Sequence, residues 1–169
     1  KWRDASPAEI ATNLAAKMPY TVRFKVPLEK IVSIEDLVRG RVTWDANGLS
    51  FGDFIIQRSN GMPVYNFCVA VDDAAMKITH VIRAEEHLTN TVRQILVLEA
   101  LGASIPTYAH CSLTLGADKQ KLSKRHGAMS VQQFRELGFI PTALVNYLAT
   151  LGWNDGTPKE IYSTQELTQ

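Results

Sequence analysis

A strand, a long helix and a second strand follow one another between residues 79 and 115, and this alternation constrains the fold more than any other feature. Thr79-His80-Val81-Ile82 reads as a short buried strand, residues 89–101 form an amphipathic helical pattern ended by Gly102, and residues 110–115 read as another strand. Strands that alternate with crossover helices lie parallel in one sheet, so the expectation is a doubly wound α/β domain. Ligands in such sheets bind beyond the carboxyl ends of the strands. Arg83 ends the first strand at that place and is the first candidate site residue.

Other signals surround this unit. Ser6-Pro7-Ala8-Glu9 predicts a capped helix to about residue 18. Residues 20–56 are β-rich: Thr21-Val22-Arg23-Phe24-Lys25-Val26 alternates, Arg41-Val42-Thr43-Trp44 follows, Ala46-Asn47-Gly48 is a turn, and Phe54-Ile55-Ile56 is a further strand. Ser59-Asn60-Gly61-Met62-Pro63 predicts a tight turn before a helix over 64–71, whose apolar face gives way near Asp72-Asp73. Helices over 131–137 and 142–151, each closed by glycine, form a helical extension.

Composition narrows the class. A chain of 169 residues, 46% hydrophobic and 21% charged, can bury one substantial core or a core with an appendage. A formal net charge of +1 excludes a generally polycationic nucleic-acid binder, so any RNA contact must be local. Cys68 and Cys111 stand in apolar runs and read as buried free thiols of a reducing compartment. They are too few for a four-ligand zinc site, so no zinc is expected. No stretch approaches the roughly 20 apolar residues of a membrane span, and no charged-then-apolar run stands at the opening of the given sequence. The opening Lys1-Trp2-Arg3-Asp4 reads as the interior of a longer polypeptide.

Lys121-Leu122-Ser123-Lys124-Arg125 carries the clearest chemistry. Three cations and a hydroxyl stand within five residues, between Gly116 and Gly127. Lys121 and Lys124 suit β and γ phosphate oxygens as compact charges, Arg125 can fork onto another oxygen, and Ser123 can donate one more hydrogen bond. Taken alone, the stretch reads more readily as a solvated basic loop, because basic patches are common.

Arg58-Ser59-Asn60-Gly61-Met62-Pro63-Val64-Tyr65-Asn66-Phe67, Val71-Asp72-Asp73, Thr79-His80-Val81-Ile82-Arg83-Ala84-Glu85-Glu86-His87 and Lys121-Leu122-Ser123-Lys124-Arg125-His126-Gly127 together closely resemble glutamyl-tRNA synthetases, of class I and of bacterial or organellar type. The likeness extends through Ala143-Leu144-Val145-Asn146-Tyr147-Leu148 and Leu151-Gly152-Trp153. It implies ATP-dependent attachment of glutamate to tRNA through glutamyl-adenylate, with L-glutamate, ATP with Mg2+ and a glutamate-accepting tRNA as substrates. It also implies a division into the end of the acceptor-gripping insertion (1–51), the second half of the Rossmann-like catalytic domain with its KMSKS-type loop (52–127), and the start of the helical stem-contact domain (128–169).

By that resemblance Lys121 and Lys124 are catalytic and share ATP binding with Ser123, Arg125 and Glu86, whereas Tyr65 and Arg83 bind glutamate. Val69 stands where some relatives carry a substrate-touching asparagine, and that role is not carried over. Asp72 and Asp73 are expected to be capping, ribose-side or structural acids, since adjacent helical residues diverge by about 100° and rarely share one ion. The first half of the nucleotide-binding fold would precede Lys1, so the segment alone is expected not to form adenylate. Two other readings stay open: a synthetase-derived tRNA-binding module without catalysis, and glutamyl transfer to a modified tRNA base. The expected location is the bacterial cytoplasm or a plastid or mitochondrial matrix.

Overall fold

The computed structural model describes residues 3–46, 52–116, 118–121 and 130–169, and the chain divides into two compact units, Lys1–His110 and Cys111–Gln169. In the first, helix α1 (Pro7–Ala15) opens on the expected reciprocal cap. The Glu9 N–H donates to the Ser6 hydroxyl at 3.3 Å, and the Ser6 N–H donates to the Glu9 carboxylate at 2.8 Å. The helix ends short of residue 18 because Lys17 turns left-handed, with φ 53°.

Strand β1 (Val22–Phe24) is shorter than the alternation over 21–26 and pairs antiparallel with β4 (Phe54–Gln57). The Phe24 and Phe54 rings stack across this pair at 5.1 Å. Between them β2 (Ile31–Asp36) and β3 (Gly40–Asp45) form an antiparallel hairpin in register from Ile31 opposite Asp45 to Asp36 opposite Gly40. No strand is predicted at β2, although its alternate residues Val32, Ile34 and Asp36 do turn inward. A carboxylate at the third inward position interrupts the hydrophobic alternation that marks a strand. Of the expected turn at 46–48, residues 47 and 48 lie outside the described residues.

The turn at Gly61 (φ 82°) closes with the Arg58 N–H donating to the Met62 carbonyl at 2.8 Å. Helix α2 (Tyr65–Ala75) does not give way at Asp72-Asp73. The Asp72 and Asp73 carbonyls accept from Met76 and Ile78, and the chain leaves helix at Lys77, φ 55°. Asp73 is half-buried within the field of Arg83, so its charge does not act as a solvent-facing stop.

Strand β5 (His80–Ala84) contains Arg83 rather than ending before it. A 3-10 turn (Glu85–His87) leads into α3 (Leu88–Leu101), capped by left-handed Gly102, and then into β6 (Thr107–Cys111). This second strand starts three residues before the predicted 110–115 and ends four earlier. β5 and β6 pair, and the Thr107 N–H donates to the Thr79 carbonyl at 2.9 Å. That bond brings the two strand starts together, so the pair runs parallel with α3 as the crossover, as the alternation requires. Among the described residues each sheet has two strands.

One apolar cluster holds the unit together: Val26, Val32, Trp44 and Phe54 of the β-rich part pack with Ala70 of α2, Val92, Ile95 and Leu98 of α3, and Tyr108 of β6. Cys68 is half-buried, while Cys111 is exposed at the outward last position of β6, contrary to the expectation of two buried thiols.

In the second unit Leu115 and Lys121 form an isolated antiparallel bridge. Helix α4 (Val131–Glu136) carries a Ser130–Gln133 reciprocal cap, and α5 (Pro141–Thr150) follows left-handed Gly138. Asn146 of α5 ties down the following chain, its amide donating to the Glu160 carbonyl at 2.9 Å and accepting from the Tyr162 N–H at 2.7 Å. The Tyr162 ring meets Trp153 edge-on at 5.4 Å.

Candidate active site

The turn of the β2–β3 hairpin delivers a carboxylate into the interior. Asp36 accepts the N–H groups of Val38 at 3.0 Å and Arg39 at 2.9 Å, the usual side-chain geometry of a tight aspartate turn. Across the interior it accepts the His110 N–H at 3.1 Å and His110 Nδ1–H at 2.6 Å, and both side chains are fully buried. Burial pushes the Asp36 carboxyl up, but the bonds from the His110 ring and from the N–H groups of Arg39, His110 and Val38 outweigh it and hold the carboxyl at about 2. An ionised Asp36 places the hydrogen on His110 Nδ1 and leaves Nε2 to accept.

Arg83 meets that nitrogen, which Thr91 Oγ1 also contacts at 2.9 Å. Its Nε donates to His110 Nε2 at 3.3 Å, and its Nη2 donates to Thr91 Oγ1 at 2.6 Å and Gln94 Oε1 at 2.8 Å. The guanidinium carbon lies 5.6 Å from the centre of the Tyr108 ring, within cation–π range. Burial works against the Arg83 charge, with the fields of Tyr108, Tyr65 and Asp73 acting the other way. All three hydrogen-bond acceptors are neutral. Glu85 pairs with Arg39, and Arg83 makes no ion pair with an acid among the described residues.

The polar contacts continue toward Tyr65. Gln94 donates to Asn66 Oδ1 at 3.1 Å, Asn66 donates to Asn90 Oδ1 at 3.3 Å, and Asn90 contacts His87 Nδ1 at 3.1 Å. The His87 ring lies 6.3 Å from the ring of Tyr65, which opens α2 and is 53% exposed rather than half-buried in a core. Exposed Glu86 faces His87 Nε2 at 3.7 Å. Tyr65, Arg83 and Glu86 therefore share one neighbourhood in the first unit. Lys121 is exposed in the second unit, and Ser123, Lys124 and Arg125 lie outside the described residues.

Asp36, Arg39, Thr91, Gln94 and His110 join this candidate site, and none of them is expected from the sequence. Asp36 and Arg39-Gly40 at turn spacing were the available signal. Tyr108 adds a peculiarity: its hydroxyl is buried without a hydrogen-bond partner among the described residues. Burial pushes the phenol up to about 12, Arg83 pulling it down and Asp73 adding to the rise. An unmade buried hydrogen bond is a cost. Tyr108→Phe is therefore expected to leave stability unchanged or raise it by about 1 kcal/mol, read as the urea midpoint.

The chain is similar to known proteins along its whole length. The family model "tRNA synthetases class I (E and Q), catalytic domain" matches residues 1–169. The glutamate–tRNA ligase of Carboxydothermus hydrogenoformans is 53% identical over 169 residues, 100% of this chain and 35% of that protein. That of Desulforamulus reducens is 50% identical over 167 residues, 99% of this chain and 34% of that protein. A crystal structure of a glutamate tRNA ligase from Elizabethkingia meningosepticum, in complex with its amino acid, superposes with a TM-score of 0.75 at 37% identity, covering 96% of this chain and 36% of the other. The chain thus spans about a third of the length of the curated relatives it matches, and it belongs to the catalytic domain of the class I tRNA synthetases for E and Q.

Proposed function

We propose that this chain supplies the glutamate-recognising part and the phosphate-handling loop of a glutamate–tRNA ligase, which forms glutamyl-adenylate from glutamate and ATP and passes the glutamyl group to tRNA. The observation that carries the reading is Arg83. It is a partly buried cation anchored only by neutral acceptors, and its Nη1 hydrogens make no bond to the described residues. A desolvated charge needs a counter-charge, and the side-chain carboxylate of glutamate supplies one, with exposed Tyr65 close by to contact the same amino acid.

The attacking α-carboxylate of glutamate is already ionised at neutral pH, so activation needs positioning and charge stabilisation rather than a general base. ATP enters as its magnesium complex. Negative charge gathers on the leaving pyrophosphate, and Lys121 and Lys124, with Ser123 and Arg125, are the groups proposed to receive it. Glu86 is proposed on the nucleotide side. The division into insertion (1–51), catalytic half-domain (52–127) and stem-contact start (128–169) belongs to the same reading. Two free cysteines suit a reducing cytoplasm or organelle matrix.

The test is ATP–pyrophosphate exchange by the protein at the full length of its relatives, with glutamate or glutamine, with and without tRNA. Exchange that requires glutamate and tRNA, and that collapses in Arg83→Ala, is the expected result. Binding of ATP and tRNA without exchange would instead assign a synthetase-derived binding module.

A further inference from the structure

We propose that His110 and Asp36 are positioning residues for the glutamate pocket, holding the Arg83 guanidinium in one orientation without neutralising it; the proposal rests on the reading of Arg83 given above. Three observations carry it. The Arg83 anchors on His110, Thr91 and Gln94 occupy Nε and Nη2 and leave Nη1 as the part of the guanidinium offered to a ligand. His110, Thr91 and Gln94 are each 1% exposed or less, so the anchors cannot drift into solvent. Asp36 stands one residue behind, bound to Nδ1 of His110 at 2.6 Å and to its N–H at 3.1 Å, fixing both the ring and its tautomer.

The arrangement has a chemical purpose. A carboxylate in direct contact with the guanidinium would satisfy its charge and reduce what a substrate carboxylate gains by binding. With Asp36 at one remove behind a neutral imidazole, the geometry is fixed while the contact charge stays available. A fixed guanidinium also presents only N–H groups, which oppose the NH2 of an amide side chain but not a carboxylate. Glutamate is preferred over glutamine only while Arg83 cannot turn away.

Two substitutions at one position separate positioning from general support. In His110→Asn the amide can still donate to Asp36 in place of Nδ1, but residue 110 no longer reaches Arg83, which keeps only its Nη2 bonds to Thr91 and Gln94. His110→Gln places an amide oxygen near the former Nε2. In tRNA-dependent pyrophosphate exchange by the full-length protein, His110→Asn is expected to raise the glutamate KM about tenfold and lower the preference for glutamate over glutamine about tenfold, with the KM for ATP within about twofold. His110→Gln is expected to stay within about threefold of the unaltered protein. If His110→Asn is too unstable to purify, Gln94→Met, which removes an acceptor from Nη2, must give the same pattern.

Unchanged glutamate KM and preference in His110→Asn and Gln94→Met, or an equal loss toward ATP, overturns the proposal. Arg83→Ala runs beside them. If it impairs glutamate use while His110→Asn and Gln94→Met do not, positioning alone is wrong. If Arg83→Ala leaves glutamate use intact, the pocket assignment falls and the positioning role falls with it.

Discussion

Asp36→Ala is expected to destabilise the chain by about 3–5 kcal/mol, because it strips a fully buried histidine and three interior or turn N–H groups of their common acceptor. Chemical denaturation against the unaltered chain reads this directly. Asp36→Asn keeps the shape and gives the electrostatic part. The folded carboxyl sits at about 2 against an ordinary 3.8, a depression worth roughly 2 kcal/mol. A lowered carboxylate value means the folded state favours the charged form. This contribution is therefore complete above about pH 5 and is lost as pH falls through the unfolded value toward 2. Asp53, Glu9 and Asp155 are held low as well, so the informative quantity is the stability difference between the two proteins. That difference should shrink by about 2 kcal/mol between pH 5 and pH 2. A constant difference across that range would refute the account of Asp36.

Lys124→Ala should produce the largest catalytic loss. If its ammonium receives the charge that builds on pyrophosphate, its contribution exists in the transition state more than in the ground state, and kcat for tRNA-dependent exchange should fall about 10²–10³-fold. The KM for glutamate should move by no more than about threefold, since Lys124 is assigned to the phosphates and not to the amino acid. Lys124→Arg should recover only part of the rate, because a planar fork does not reproduce a compact charge. Steady-state exchange at saturating glutamate separates these effects. Retained kcat in both Lys124→Ala and Lys121→Ala would return the segment to a solvated basic loop.

What could be read in advance followed the range of the forces involved. The cap of α1, the left-handed glycine turn before α2, and the strand–helix–strand of β5, α3 and β6 are written in residues within a few positions of each other. They were legible for that reason. β2 was not, because its third inward residue is Asp36, whose partner His110 lies 74 positions away. Seen alone, a charged residue at that place says loop, and a histidine among apolar residues says little. β6 is displaced for a like reason: Tyr108, Ala109 and His110 are its buried centre, and the histidine is satisfied there by distant partners, Asp36 on one ring nitrogen and Arg83 and Thr91 on the other. Arg83 could be nominated from its place near the end of β5, but its anchors on α3 and β6 depend on packing that no local pattern encodes.

The hairpin formed by β2 and β3 reverses an ordinary rule of protein engineering. Reverse turns at strand ends are customary places to splice in a tag, a reporter or a foreign loop, since little depends on them. Here the turn between Asp36 and Gly40 is the docked end: besides the Asp36 bonds, the Leu37 N–H donates to the Tyr108 carbonyl at 2.9 Å and Arg39 Nε donates to the His110 carbonyl at 3.2 Å. Residues 36–40 clasp the free edge of β6, so a peptide grafted between them would unclasp the strand that bears His110.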